Sequence, residues 1–277
     1  MQSKLIKYEW KAFKKPMWII SAIIVIMTAI CCLMLTLFPV DLTNDQTDVI
    51  STLSTIGSFA VYYIVIIGCG LATTLLIGIR YYKSMYSDQA YLTHTLPVTK
   101  KELLSSKIIV ASIFEFVICM VIMLSVIFII PTFVISLSGA SGWQEMMNEI
   151  IMDSAFGISS AYAGIILAVL YVIVLMIGSF SSTILVFTAI TLGQYFTKHR
   201  IIGAVLCYMG ITAVQSTISM IGYLPFYIRT LVSASTGDPS IFSVISMYTA
   251  PSILCFIFAI VLLLITSRQL NKNLNLE

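Results

Sequence analysis

Six apolar stretches constrain this chain more than any motif in it. They lie near 17–38, 52–79, 108–136, 160–192, 201–224 and 247–267. An α-helix rises ~1.5 Å per residue, so ~20 residues cross the ~30 Å hydrocarbon core of a bilayer, and every one of the six is long enough. The 277 residues are 59% hydrophobic and 10% charged, with a mean hydropathy of +1.03. A soluble domain cannot hide that much apolar surface, so lipid must be part of the solvent. The first run, from Met17 to Phe38, is too long for a signal-peptide core and has no small-residue cleavage site, so it is expected to stay as a span. The fold class is therefore an all-α membrane protein with six transmembrane helices, and 1–277 reads as a single transmembrane domain. The second, third and fourth runs are long enough to tilt, kink or project from the bilayer. Pro131 is a candidate kink, and Gly157 or Gly164 a candidate start for the fourth.

Charge placement orients the spans. With both termini cytoplasmic, the inner segments hold Lys4, Lys7, Lys11, Lys14, Lys15, Arg80, Lys83, Lys100, Lys101, Lys107, Lys198, Arg200, Arg268 and Lys272, and only Arg229 falls outside. That is the positive-inside pattern. The outer segments collect Asp41, Asp45, Asp48, Glu145, Glu149, Asp153 and Asp238.

Residues 1–16 read as an amphipathic interfacial helix. Lys4, Lys7, Lys11 and Lys14 recur at helical spacing on one face, while Ile6, Trp10, Phe13 and Met17 share the opposite face. A basic helix with an aromatic face suits the surface of an anionic membrane, and Pro16 would mark the elbow into the first span. A charged flank that only sets topology would carry the same lysines.

The longest polar interval is 80–107, RYYKSMYSDQAYLTHTLPVTKKELLSSK. Ser87-Asp88 offers a helix start, with Tyr91, Leu92 and Leu96 following at helix-like spacing. Pro97 then ends that piece, because the residue before proline is pushed out of the helical region. Thr99 with Glu102 three residues on is a capping box that opens the next helix. A short folded element with aromatic and apolar residues at a membrane face is expected to touch a partner. Packing on its own helices is the plainer alternative. A second irregular segment, 223–247, is too apolar for a free loop and is interrupted at Pro225 and at Gly237-Asp238-Pro239. It reads as a re-entrant extracellular element, which must be covered by protein or line a wet cavity. A surface hairpin would also fit.

Several chemistries lack their residues. There is no GxxxxGK[ST] loop to cradle nucleotide phosphates, no HExxH and no GxSxG. The two histidines, His94 and His199, both fall in polar loops. The six cysteines, Cys31, Cys32, Cys69, Cys119, Cys207 and Cys255, sit in apolar runs without CxxC spacing and read as small core hydrophobes. Catalytic residues, metal ligands and a cofactor in this chain are therefore not expected. The Gly68-Cys69-Gly70 pair and the small residues Gly164, Gly178, Ser179, Ser181, Ser182 and Thr183 suit helix packing. Glu115 is the one acid within an apolar run. Such a group is costly in lipid and is a candidate intramembrane polar site, although a bond to a neighbouring helix would also account for it.

A basic N-terminal helix, six spans, a helical loop between the second and third, and a re-entrant element before the sixth together resemble the ABC-2 type permeases. These are the membrane subunits of bacterial ATP-binding-cassette exporters. The run YLTHTLPVTKKELLSSK is the most specific part of the likeness. The resemblance implies a permease that hydrolyses nothing itself, a separate ATPase subunit that holds ATP and Mg, and a second permease chain as homodimer or heterodimer. It places the protein in the bacterial cytoplasmic membrane. The ATPase-coupling interface would be Ser87, Asp88, Gln89, Tyr91, Leu92, His94 and Leu96, acting together with the interfacial helix that carries Lys4, Lys7, Trp10, Lys11, Phe13 and Lys14. The cargo it suggests is amphiphilic or peptide-like, such as an antimicrobial or toxin peptide. The competing reading is an ATPase-independent secondary transporter or an accessory or sensory membrane subunit.

Overall fold

A computed structural model of the chain describes residues 2–38, 49–87, 100–152, 160–196, 200–236 and 241–272. They form six helices: α1 (Gln2–Leu37), α2 (Val49–Tyr86), α3 (Lys100–Met152), α4 (Ser160–Gly193), α5 (Arg200–Thr236) and α6 (Ile241–Lys272). Each contains a segment long and apolar enough to cross a membrane. Large aliphatic side chains remain exposed on all six, and α5 is the extreme case, with Ile201, Met209, Met220 and Ile221 all uncovered. Water would not tolerate such continuous apolar surface, whereas lipid does, so this is a multi-pass membrane protein.

Two expectations meet a different geometry. Pro16 does not end a helix: α1 is continuous through it, from the lysine-rich start into the first span. Nor does Pro225 interrupt the chain, since α5 continues past it to Thr236 and the expected re-entrant piece begins as ordinary helix. Gly237, Asp238 and Pro239 lie outside the described residues. Pro131 and Pro251 are likewise inside helices. Proline removes one backbone donor, but membrane helices accommodate it where hydroxyls and neighbouring helices meet the freed groups.

The chain divides into two compact units. One comprises Lys15–Thr73 and Val117–Ile165. Its core is Cys31, Leu35, Tyr62 and Ile129, with Phe59 and Phe133 packed edge to face at 4.6 Å. Tyr62 is fully covered, and its hydroxyl finds Ser125 Oγ at 2.7 Å, which removes the cost of burying a phenol.

The other unit comprises Met1–Lys14, Thr74–Phe116 and Ile166–Glu277. Its central stave is the stretch of α4 from Ser181 to Thr191, buried almost throughout. The sequence SSTILVFTAIT has no polar face, which is what a helix surrounded by other helices requires. Its hydroxyls are met locally: Thr183, Thr188 and Thr191 each donate to the carbonyl four residues back. Thr188 also meets Thr266 of α6 at 2.8 Å, and the Tyr81 ring of α2 stacks on Phe187 at 4.0 Å. Where α4 hands over to α5, Gly193 lies so close to Ala204 that a Cβ there would stand 2.5 Å from its backbone nitrogen. The α5–α6 pair is also close at Gly222, where a Cβ would stand 2.8 Å from Leu254 Cδ1 and 3.1 Å from Pro251 Cα.

All six cysteines are free; Cys31 and Cys69 are buried and the other four half-buried. No group of three metal-ligating side chains occurs among the described residues.

Candidate functional site

Among the described residues, the densest charge cluster lies at the ends of three helices in the second unit. Glu9 of α1 uses its two carboxylate oxygens separately. Oε2 accepts from Arg80 Nε of α2 at 3.0 Å, and Oε1 accepts from Lys107 Nζ of α3 at 2.5 Å. The Lys107 side chain is only 6% exposed and that of Glu9 15%, whereas Arg80 keeps 34%. An ammonium that far from solvent is tolerable only with a paired and well-aligned counter-charge. Phe13, one helical turn after Glu9, lies beneath the Arg80 guanidinium at 4.7 Å and packs on Phe114 at 5.1 Å. Ile77, Tyr81 and Phe187 close the surroundings. The space left is about 10 Å³, room for a water at most, so this is a clamp and not a ligand pocket.

The clamp has a clear position in the chain. Arg80 and Lys107 bound the polar interval 80–107, so one carboxylate near the N-terminus ties down both stems of that loop. Sequence reasoning missed Glu9, although a signal was present. It is three residues from Ile6 and four from Phe13, hence at the edge of the apolar face of α1. A carboxylate there calls for a cationic partner.

The residues singled out from sequence fall into three groups. Lys7, Lys11 and Lys14 are exposed, Trp10 is partly so, and Phe13 is buried against protein. The face assigned to the membrane interface thus turns its Phe13 edge inward. The side chain of Lys4 lies outside the described residues. Ser87 is half-buried just after α2, while Asp88, Gln89, Tyr91, Leu92, His94 and Leu96 lie outside the described residues. Helix α3 starts at Lys100 with Glu102 in its first turn, at the place the Thr99 capping box predicts. Glu115 accepts a hydrogen bond from Thr183 Oγ1 at 3.0 Å, with the Ser182 hydroxyl also near its carboxylate, both on α4. Its carboxylate is therefore engaged by a neighbouring helix.

Compared with family models, curated proteins and solved structures, the chain matches none of them.

Proposed function

We propose that this chain is the transmembrane subunit of an ABC-2 type exporter of the bacterial cytoplasmic membrane. In this reading a separate ATPase subunit binds ATP and Mg and docks on the segment 87–96. A second permease chain completes the translocation path, and both termini face the cytoplasm. The cargo is an amphiphilic or peptide-like molecule.

The observation that carries the reading is the Glu9 clamp. A subunit driven from outside must convert a push on a loop into movement of spans. The polar interval 80–107 is held at both stems, through Arg80 and Lys107, to one residue of α1. Displacing the loop therefore pulls on three membrane helices together. Coupling of this kind requires that the partner's two states contact the loop differently.

The test is co-purification with any P-loop ATPase encoded beside this chain, comparing wild type with Tyr91→Ala/Leu92→Ala. The expected result is an ATPase retained by wild type and lost from the variant at equal expression. Failure of wild type to bind any ATPase would sink the exporter reading and favour an ATPase-independent transporter or accessory subunit.

A further inference from the structure

A groove of about 500 Å³ runs between α2, α4 and α5, within the unit that holds the clamp. Its walls are aliphatic: Leu75, Ile79, Val186, Ile190 and Val205 line it, and Gly78 and Ala204 keep it open. Two of its described lining residues are charged, Lys83 of α2 and Arg200 of α5, and no carboxylate lines it among the described residues. Both cations lie at one end. Tyr81 and Tyr86 of α2 bond Thr191 of α4, which sets Lys83 level with the end of α4. Gly193 touches Ala204, which brings the first turn of α5, with Arg200, to that same level. Both side chains are exposed, and neither forms an ion pair among the described residues.

Ser87, a turn beyond Lys83, lines the mouth; inward from the two cations the groove extends ~14 Å along α2, from Lys83 to Thr74, and ~12 Å along α5, from Arg200 to Tyr208, at 1.5 Å per residue. One leaflet of the hydrocarbon core is about 15 Å deep. The groove is thus one leaflet deep, apolar along its length and doubly cationic at its mouth. The N-terminus of α5 adds its partial positive charge beside Arg200.

We infer that this groove is a binding site for an anionic phospholipid of the leaflet that bears the lysine-rich helix ends, its phosphate held by Lys83 and Arg200 and an acyl chain laid along Leu75, Ile79 and Val205. Basic recesses between membrane helices on the cytoplasmic side select lipids in this way, because a zwitterionic headgroup forfeits the net attraction that an anionic one gains. The inference needs only that the chain spans a membrane. It stands whether or not an ATPase drives the protein.

The test titrates the detergent-purified full-length chain with dioleoyl phosphatidylglycerol or dioleoyl phosphatidylcholine and counts bound lipid by native mass spectrometry. Wild type is expected to bind the anionic lipid more tightly. Lys83→Gln/Arg200→Gln should weaken that binding about 30-fold, about 5-fold for each cation lost, and leave phosphatidylcholine unchanged. Lys7→Gln/Lys11→Gln removes two exposed cations of α1 instead and should keep the preference. Val205→Trp, a substitution at a half-exposed wall position, fills the groove and should weaken both lipids, which keeps the test decisive if the double variant misfolds. Glycerol phosphate, the head without its chains, should not compete. Equal affinity of wild type for the two lipids overturns the inference, as does unchanged phosphatidylglycerol binding in the cation variant. So does competition by glycerol phosphate, or a change from dimer to monomer in Val205→Trp with lipid binding intact, which would assign the groove to a second copy of the chain.

Discussion

Glu9 Oε1 and Lys107 Nζ lie 2.5 Å apart, although 98 residues separate them in the chain. With Arg80 on its other oxygen, Glu9 joins the start of α1 to the end of α2 and the start of α3. Lys107 is the member most removed from solvent, so it depends most on the carboxylate. That asymmetry decides what each substitution should do.

Glu9→Ala leaves Lys107 buried without a counter-charge, and should destabilise the protein by about 3 kcal/mol. Arg80→Gln removes the more exposed partner and should cost much less, about 1 kcal/mol or below. Thermal unfolding in detergent checks both. Glu9→Leu/Lys107→Leu should recover part of the loss, because the second substitution deletes the orphaned charge. A double variant as unstable as the sum of the singles would refute a direct pairing.

Gly193 and Gly210 make a matched pair of backbone tests. A Cβ on Gly193 would meet Ala204 backbone atoms at 2.5 Å, whereas Gly210, inside α5, has nothing within 4 Å. Gly193→Ala must force α4 and α5 apart and should cost about 1–3 kcal/mol. Gly210→Ala gains helix propensity and should be neutral or stabilising by up to about 1 kcal/mol. Melting curves of the two variants side by side decide the matter.

Tyr81 is buried, stacked on Phe187, and bonded through its hydroxyl to Thr191 at 3.1 Å. Thr191 also accepts from Tyr86 at 3.2 Å and donates to the Phe187 carbonyl at 2.8 Å, so it is not abandoned when Tyr81 loses its hydroxyl. Tyr81→Phe should therefore cost no more than about 1 kcal/mol. Tyr81→Ala also opens a cavity against Phe187 and should cost about 3–5 kcal/mol. A large effect of the phenylalanine variant would mean that the hydroxyl, and not the ring, holds α2 to α4.

Glu115 is met by Thr183 and Ser182, groups that donate equally well to an amide oxygen. Glu115→Gln should therefore fold normally and melt within about 1 kcal/mol of wild type, while Glu115→Leu removes the shared acceptor, leaves Thr183 its Ser179 carbonyl and lowers stability by about 1 kcal/mol. A large loss of thermal stability in the glutamine variant would show that the carboxylate's charge, and not its hydrogen bonding, is what the fold uses.

Much of this molecule is a local property of the chain. The six apolar runs, the lysines beside their ends and the Thr99–Glu102 signal at the start of α3 are all readable within twenty residues, because hydropathy and helix capping depend on near neighbours. They decide the class, the number of spans and the bias of charge. What sequence pattern does not contain is the choice of neighbour. An apolar face looks the same whether it meets lipid or another helix, so Phe13 reads as a membrane-facing residue until Phe114 and Arg80 are beside it. A proline that would end a helix in water can be carried through one in a packed membrane protein, as at Pro16 and Pro225. Glu9 is one acid among lysines until folding brings Arg80 and Lys107, 71 and 98 residues away, to its two oxygens. Only tertiary structure decides these contacts, because a burial partner or a counter-ion is selected by distance in space, and helix–helix packing sets that distance without leaving a periodic trace in the sequence.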